Sequence, residues 1–126
     1  MPSASFVVAV IDDDDMVRDG LRALLPAFDC KVELYPSADA FLVAITTTRA
    51  HCLMIDIQLG LVSGIALGRG LTQAGYRFPV IYMSGSADEE TRQEARDAGC
   101  VAFLCKPFTP EGLSRALDAA RRRNAG

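Results

Sequence analysis

Four apolar runs in this chain end in groups that can do chemistry. Phe6–Ile11 runs into Asp12-Asp13-Asp14-Asp15, and Leu53-Met54-Ile55 ends in a single acid, Asp56. Phe78–Met83 ends in Ser84-Gly85-Ser86, and Cys100–Cys105 ends in Lys106-Pro107. Brought together, these carboxylates, a hydroxyl and an ammonium would serve phosphoryl transfer to a carboxylate. Asp56 would be the nucleophile that becomes an aspartyl phosphate. Asp12 and Asp13, with Asp56, would hold Mg²⁺, an ion that favours a few carboxylates completed by water and phosphate oxygens. Lys106 would pair with Asp56 beforehand and then offer a compact positive charge to a phosphoryl oxygen. Ser84 would donate a hydrogen bond to another oxygen.

Each of these residues has a plainer reading when taken alone. An aspartate after a strand is a common turn residue, so Asp56 by itself reads as a loop cap. A lone Lys106 reads as a surface lysine, a lone Ser84 as a turn residue, and Phe103 as core. Asp14 and Asp15 suit the start of a helix, where negative charge is favourable. A cap does not need four acids in a row. Like charges at the edge of an apolar strand cost roughly 4 kcal/mol per close pair at an effective dielectric of 20. A compensating cation is therefore expected. The joint placement of these residues carries the functional reading.

That placement depends on the elements between them. Phe6–Ile11 is continuously apolar, as a strand buried on both faces would be. Val17, Leu21, Leu24, Leu25 and Phe28 follow at helical spacing. Lys31–Tyr35 alternates as a short strand, and Pro36-Ser37 opens a helix through Phe41 and Ile45. After Asp56, a loop leads to a helix with Ile65, Leu67 and Leu71 that ends near Gly75. Phe78–Met83 is a fourth strand, followed by a helix from Asp88 to Ala98 that Gly99 caps. Cys100–Cys105 is a fifth strand, and Pro110 sits in the first turn of a last helix. Alternating strands and helices predict an α/β domain over residues 1–126. The expected form is a doubly wound, flavodoxin-like, five-stranded parallel sheet in the order 2-1-3-4-5, with helices on both faces. In that order, strands 1 and 3 meet at the switch point, about 4.8 Å apart. Asp12 and Asp13 would then face Asp56, with Ser84 and Lys106 on the next two strands. The second strand, which ends without a chemical group, lies outside the site.

Composition narrows the class. Half of the 126 residues are hydrophobic, which excludes disorder and leaves room for one core. No apolar run approaches the ~20 residues needed to span a bilayer. Met1–Ser5 lacks the basic start of a leader peptide, so a cytoplasmic location is expected. A net charge of −3 gives no reason to expect nucleic-acid binding by this domain. Cys30, Cys52, Cys100 and Cys105 form no CxxC pair, and His51 is the one histidine. They read as apolar core residues, not zinc ligands. Arg121-Arg122-Arg123-Asn124 reads as a solvated basic tail on the last helix.

In these motifs the chain resembles the receiver domain of two-component response regulators. The marks are Asp12-Asp13, Asp56 within Met-Ile-Asp-Ile, Ser63-Gly64, Ser84-Gly85 and Phe103-Leu-Cys-Lys106-Pro107, in that order over nearly the whole length. The resemblance implies a histidine kinase or phosphotransfer protein as donor, Asp56 as acceptor, and no turnover of a separate substrate. It implies that the Gln58 backbone carbonyl joins Asp12, Asp13 and Asp56 around Mg²⁺, and that the Lys106-Pro107 peptide is cis. Ser84 and Phe103 would form the switch. It would alter the face made by the fourth helix, fifth strand and fifth helix, where a second copy or a downstream protein docks. Many members carry proline four residues after the acceptor; Gly60 stands here, and a more mobile loop is expected.

Other classes fit less well. A flavodoxin-like FMN site would need a phosphate loop where the four aspartates stand. A haloacid-dehalogenase-type phosphatase would place its nucleophile after the first strand. The remaining alternative is a receiver-fold interaction module that works without phosphorylation.

Overall fold

The computed structural model describes residues 5–86 and 88–125; residues 1–4, expected not to form a leader, lie outside the described residues. The elements follow the expected alternation: β1 (Phe6–Ile11), α1 (Asp15–Leu24), β2 (Cys30–Tyr35), α2 (Ala38–Val43), β3 (Cys52–Asp56), α3 (Gly64–Gln73), β4 (Val80–Ser84), α4 (Glu89–Asp97), β5 (Ala102–Cys105) and α5 (Pro110–Ala125). The five strands pair in parallel in the order β2-β1-β3-β4-β5, as expected. A two-residue antiparallel ribbon, Gln58–Leu59 with Val62–Ser63, lies between β3 and α3 and is not foreseen in the sequence.

Several boundaries differ from the sequence reading for local reasons. Leu25–Phe28 is a turn of 3₁₀ helix, because Pro26 has no N–H to continue α1. Asp29 closes it at φ 61°, a left-handed conformation that aspartate tolerates. α2 stops at Val43, short of Ile45, as the chain enters the β-branched run Ile45-Thr46-Thr47-Thr48. β4 begins at Val80, since Pro79 cannot donate to the ladder. β5 begins at Ala102, because Cys100 N–H is still bound to the Ala95 carbonyl of α4.

The alternation of side chains splits the core in two. Val8, Val10, Met54, Ile81 and Met83 face α1 and α5, meeting Leu21, Leu113 and Leu117. Ala9, Ile11, Leu53, Ile55 and Tyr82 face α2, α3 and α4, meeting Phe41, Ile65 and Ala95. Cys30 and Cys52 are buried core thiols, and burial pushes Cys52 far above the ordinary thiol range. Cys100 and Cys105 are only partly buried. No described helix is long and apolar enough to cross a membrane.

Two contacts tie the sheet's N-terminal end. His51 Nδ1 accepts the Val7 N–H at 2.9 Å, while the His51 N–H donates to the Val7 carbonyl at 2.7 Å. Its ring stacks on Phe6 at 5.5 Å. Arg121 is not part of a solvated tail: its guanidinium donates to the Phe28 carbonyl at 2.6 Å and lies 5.1 Å over the Phe6 ring. This one side chain ties α5 to the corner before β2. His51→Phe would keep the ring stack but leave the Val7 N–H without an acceptor. It is expected to cost about 1–3 kcal/mol in urea unfolding. An unchanged midpoint would show that this hydrogen bond contributes nothing.

Candidate functional site

Parallel register brings the acids together. Ile11 is level with Ile55 across β1 and β3, so the next residues, Asp12 and Asp56, emerge side by side at the C-terminal edge. Ser84 ends β4, level with Cys105, and Lys106 follows directly. The Lys106 N–H donates to the Ser84 carbonyl at 2.7 Å, extending the β4–β5 pairing into the site. The Lys106-Pro107 peptide is cis, as expected.

Asp12 is fully buried, Asp56 is 7% exposed and Asp13 faces solvent. One carboxylate oxygen from each lies within 4.8 Å of the others, a spacing that can hold a metal ion. Asp12 Oδ1 accepts the Asp14 N–H at 2.9 Å, and its Oδ2 accepts from Lys106 Nζ at 2.8 Å. Asp56 Oδ1 accepts the Gln58 N–H at 3.1 Å, and its Oδ2 lies 3.3 Å from Lys106 Nζ. Lys106 was expected to rest on Asp56; it bridges both acids and lies nearer to Asp12. Asp14 caps α1, accepting the Met16 N–H at 2.8 Å, as expected. No spacing or motif marks the Arg18 guanidinium as a neighbour of the site. It donates to the Asp12 carbonyl at 2.7 Å and pairs with Asp15.

The electrostatics follow from burial. Desolvation raises the Asp56 carboxyl above its ordinary value; the Gln58 N–H opposes it, Asp12 adds repulsion, and Lys106 pulls back. For Lys106, burial alone would lower the ammonium. The hydrogen bond to Asp12 and the charges of Asp56 and Asp12 outweigh burial and hold it above the ordinary lysine value.

Glycines set two close approaches. A Cβ on Gly64 would sit 2.1 Å from the Asp56 backbone oxygen, so only glycine lets α3 start against the acid's own backbone. Gly60 has φ 64° and precedes Leu61 in a two-residue loop, the position where a tight hairpin takes glycine. Glycine here thus shapes a defined hairpin, where a looser loop was expected. Proline, fixed near φ −65°, would not fit.

Ser84 is buried, and its Oγ accepts the Ser86 N–H at 3.0 Å, leaving its proton available. Phe103 is half-buried on β5, level with Tyr82, with the Arg92 guanidinium 5.1 Å over its ring. Phe103, which taken alone reads as core, thus also carries a cation–π contact.

A model of the response regulator receiver domain matches residues 8–118. The response regulator protein TodT of Pseudomonas putida is 33% identical over 120 residues, covering 95% of this chain and 53% of TodT. The transcriptional regulatory protein FixJ of Azorhizobium caulinodans is 36% identical over 121 residues, covering 96% of this chain and 57% of FixJ. The chain thus spans about half the length of these relatives. The crystal structure of FixJ-N superimposes with a TM-score of 0.85 at 30% identity, covering 94% of this chain and 95% of that one.

Lys106→Ala would leave the buried Asp12 and Asp56 facing each other without a cation. Breaking such a pair from one side costs about 3–5 kcal/mol. Because Lys106 is raised in the fold, its contribution is full below the ordinary lysine value and disappears only as pH rises through the higher folded value. The deficit should therefore persist throughout the neutral range in urea unfolding with EDTA. Adding Asp12→Asn should recover part of it. A single variant as stable as the parent would show that Lys106 does not balance the two acids.

Proposed function

Because the chain belongs to the response regulator receiver domain family, we propose that Asp56 is its phosphoacceptor and that a histidine kinase or phosphotransfer protein is its donor. The observation that carries this reading is the approach of the Asp12, Asp13 and Asp56 oxygens to within 4.8 Å, with one ammonium bridging two of them. In the transfer, an Asp56 carboxylate oxygen attacks phosphorus, a P–O bond forms, the P–N bond to the donor imidazole breaks, and the imidazole keeps the bond's electron pair. Lys106 turns its charge to a phosphoryl oxygen, and Ser84 Oγ–H donates to another. The carboxylates of Asp12, Asp13 and Asp56, with the Gln58 carbonyl, fit a hard divalent cation, and Mg²⁺ would supply charge neutralisation there. The chemistry alters the chain's own side chain and turns over no separate substrate.

The donor must reach Asp56 over the C-terminal edge of the sheet. On the α1 side that edge is bordered by a largely apolar groove of about 420 Å³ along Met16, Val17, Leu21, Pro107 and Phe108. Met16 is 82% exposed. We assign this groove to the donor. Ser84 and Phe103 form the switch, and α4, β5 and α5 form the face it changes. That face offers a docking place to a second copy or a downstream protein. The relatives are about twice as long, and FixJ is named a transcriptional regulator. A transcriptional output is the corresponding role proposed here.

Incubation with acetyl phosphate and Mg²⁺ should add one phosphate to the intact mass, lost in Asp56→Asn and in EDTA. No addition, with a histidine kinase also failing as donor, would favour an interaction module that works without phosphorylation.

Met16→Gln separates docking from chemistry. Its labelling by acetyl phosphate should match the parent, while transfer from a kinase that labels the parent should slow about tenfold, the loss of roughly 1.4 kcal/mol of apolar contact. Equal slowing with both donors would place Met16 in the chemistry and remove the docking assignment.

A further inference from the structure

At the other end of the sheet, three guanidiniums line one groove without acids. A groove of about 910 Å³ runs under the start of β4, from α3 to the last turn of α5. Arg77, Arg122 and Arg123 line it, along with Tyr76 and Tyr82, and no aspartate or glutamate does. None of the three arginines has an ion-pair partner among the described residues, although Arg18, Arg22, Arg96 and Lys106 all do. In a chain of net charge −3, the lining of this groove thus carries three cations and no anion.

The groove also has a shaped floor. The Tyr82 hydroxyl lies in the space a Cβ on Gly68 would take, 2.0 Å from that position, so glycine lets the phenol reach between β4 and α3. Tyr76 stacks on Phe78 with centroids 5.9 Å apart, which stiffens an aromatic wall beside the arginines. The volume falls within the range of small-molecule sites. Guanidiniums favour the bidentate hydrogen bonding of phosphate, and an aromatic wall favours a flat ring.

We propose that this groove binds a small molecule carrying two or more phosphates, held by Arg77, Arg122 and Arg123, with any attached base against Tyr76. The proposal does not depend on phosphorylation of Asp56, which lies at the opposite edge of the sheet.

The chain has no tryptophan and three tyrosines, two of which line the groove. Tyrosine fluorescence, with calorimetry alongside, can therefore follow titration with pyrophosphate, ADP and adenosine. EDTA in the buffer keeps metal from the acidic cluster, which then repels phosphate. Saturable binding of pyrophosphate and ADP is expected, weakened about tenfold or more in Arg122→Gln/Arg123→Gln and by added salt. Both arginines lie on the solvent-exposed end of α5, so the double variant should keep the parent's unfolding midpoint. ADP binding more tightly than pyrophosphate would assign the base to the aromatic wall; equal affinities would assign binding to the phosphates alone. Adenosine binding as tightly as ADP, an affinity unmoved by the arginine substitutions, or no heat and no fluorescence change with either phosphate would each overturn the proposal.

Discussion

The structure depends on keeping buried carboxylates charged beside one another. Asp12 has no exposure, Asp56 almost none, and their oxygens converge with those of Asp13. Desolvation and mutual repulsion both act against this arrangement. The fold answers with one ammonium placed between two of the acids and with backbone N–H groups on each: Asp14 for Asp12 and Gln58 for Asp56. No buried side-chain polar atom among the described residues is left without a partner. The site is therefore balanced internally, while a third carboxylate, Asp13, stays in solvent, able to join a metal ion without adding to the buried charge.

That balance requires strand ends aligned to within one residue. The parallel ladder supplies the alignment, because Ile11 and Ile55 are register partners deep in the apolar layer and the acids simply follow them. A slip of one residue would carry Asp12 into the place of Ile11, against Leu53 and Ile55, where no cation reaches it. The same ladder carries Lys106 in from β5, through its N–H on the Ser84 carbonyl. Stability and chemistry thus rest on the same register. The far end of the sheet is pinned independently, by His51 on Val7 and by Arg121 on the corner before β2.

Much of this is legible in the chain, for identifiable reasons. Strand positions follow from apolar runs, and the meeting of Asp12, Asp56, Ser84 and Lys106 follows from a topology with few alternatives. Side-chain contacts across long separations were not legible. Nothing local marks Arg121 as a partner of Phe28, or Arg18 as a partner of the Asp12 carbonyl. Arg121 reads as a solvated charge until the neighbouring element is in place. The ribbon around Gly60 was missed because it is two residues long on each side, too short for periodicity to register. Its φ of 64° explains glycine at a position where the family often has proline. Gly64 could be quoted as a motif residue, but its reason, the Asp56 carbonyl against the start of α3, exists only in three dimensions.

The proposed switch involves small energies, and this is what lets one phosphoryl group operate it. Among the described residues Ser84 Oγ holds the Ser86 N–H, a neutral hydrogen bond worth about 1 kcal/mol net. Turning the hydroxyl to an anionic phosphoryl oxygen exchanges that for a charge-assisted bond, roughly twice as strong. Phe103 sits half-buried next to Tyr82, under Arg92, and a partly exposed cation–π contact contributes about 0.5–1 kcal/mol. Moving the ring inward gives up that contact but buries more of an aromatic surface, which is favourable. The resting and altered arrangements are thus separated by opposing terms of one or two kcal/mol each. By contrast, the Asp12–Lys106–Asp56 balance involves several kcal/mol. A shift of Ser84 and Phe103 can follow phosphorylation while the charge frame that receives the phosphoryl group stays in place.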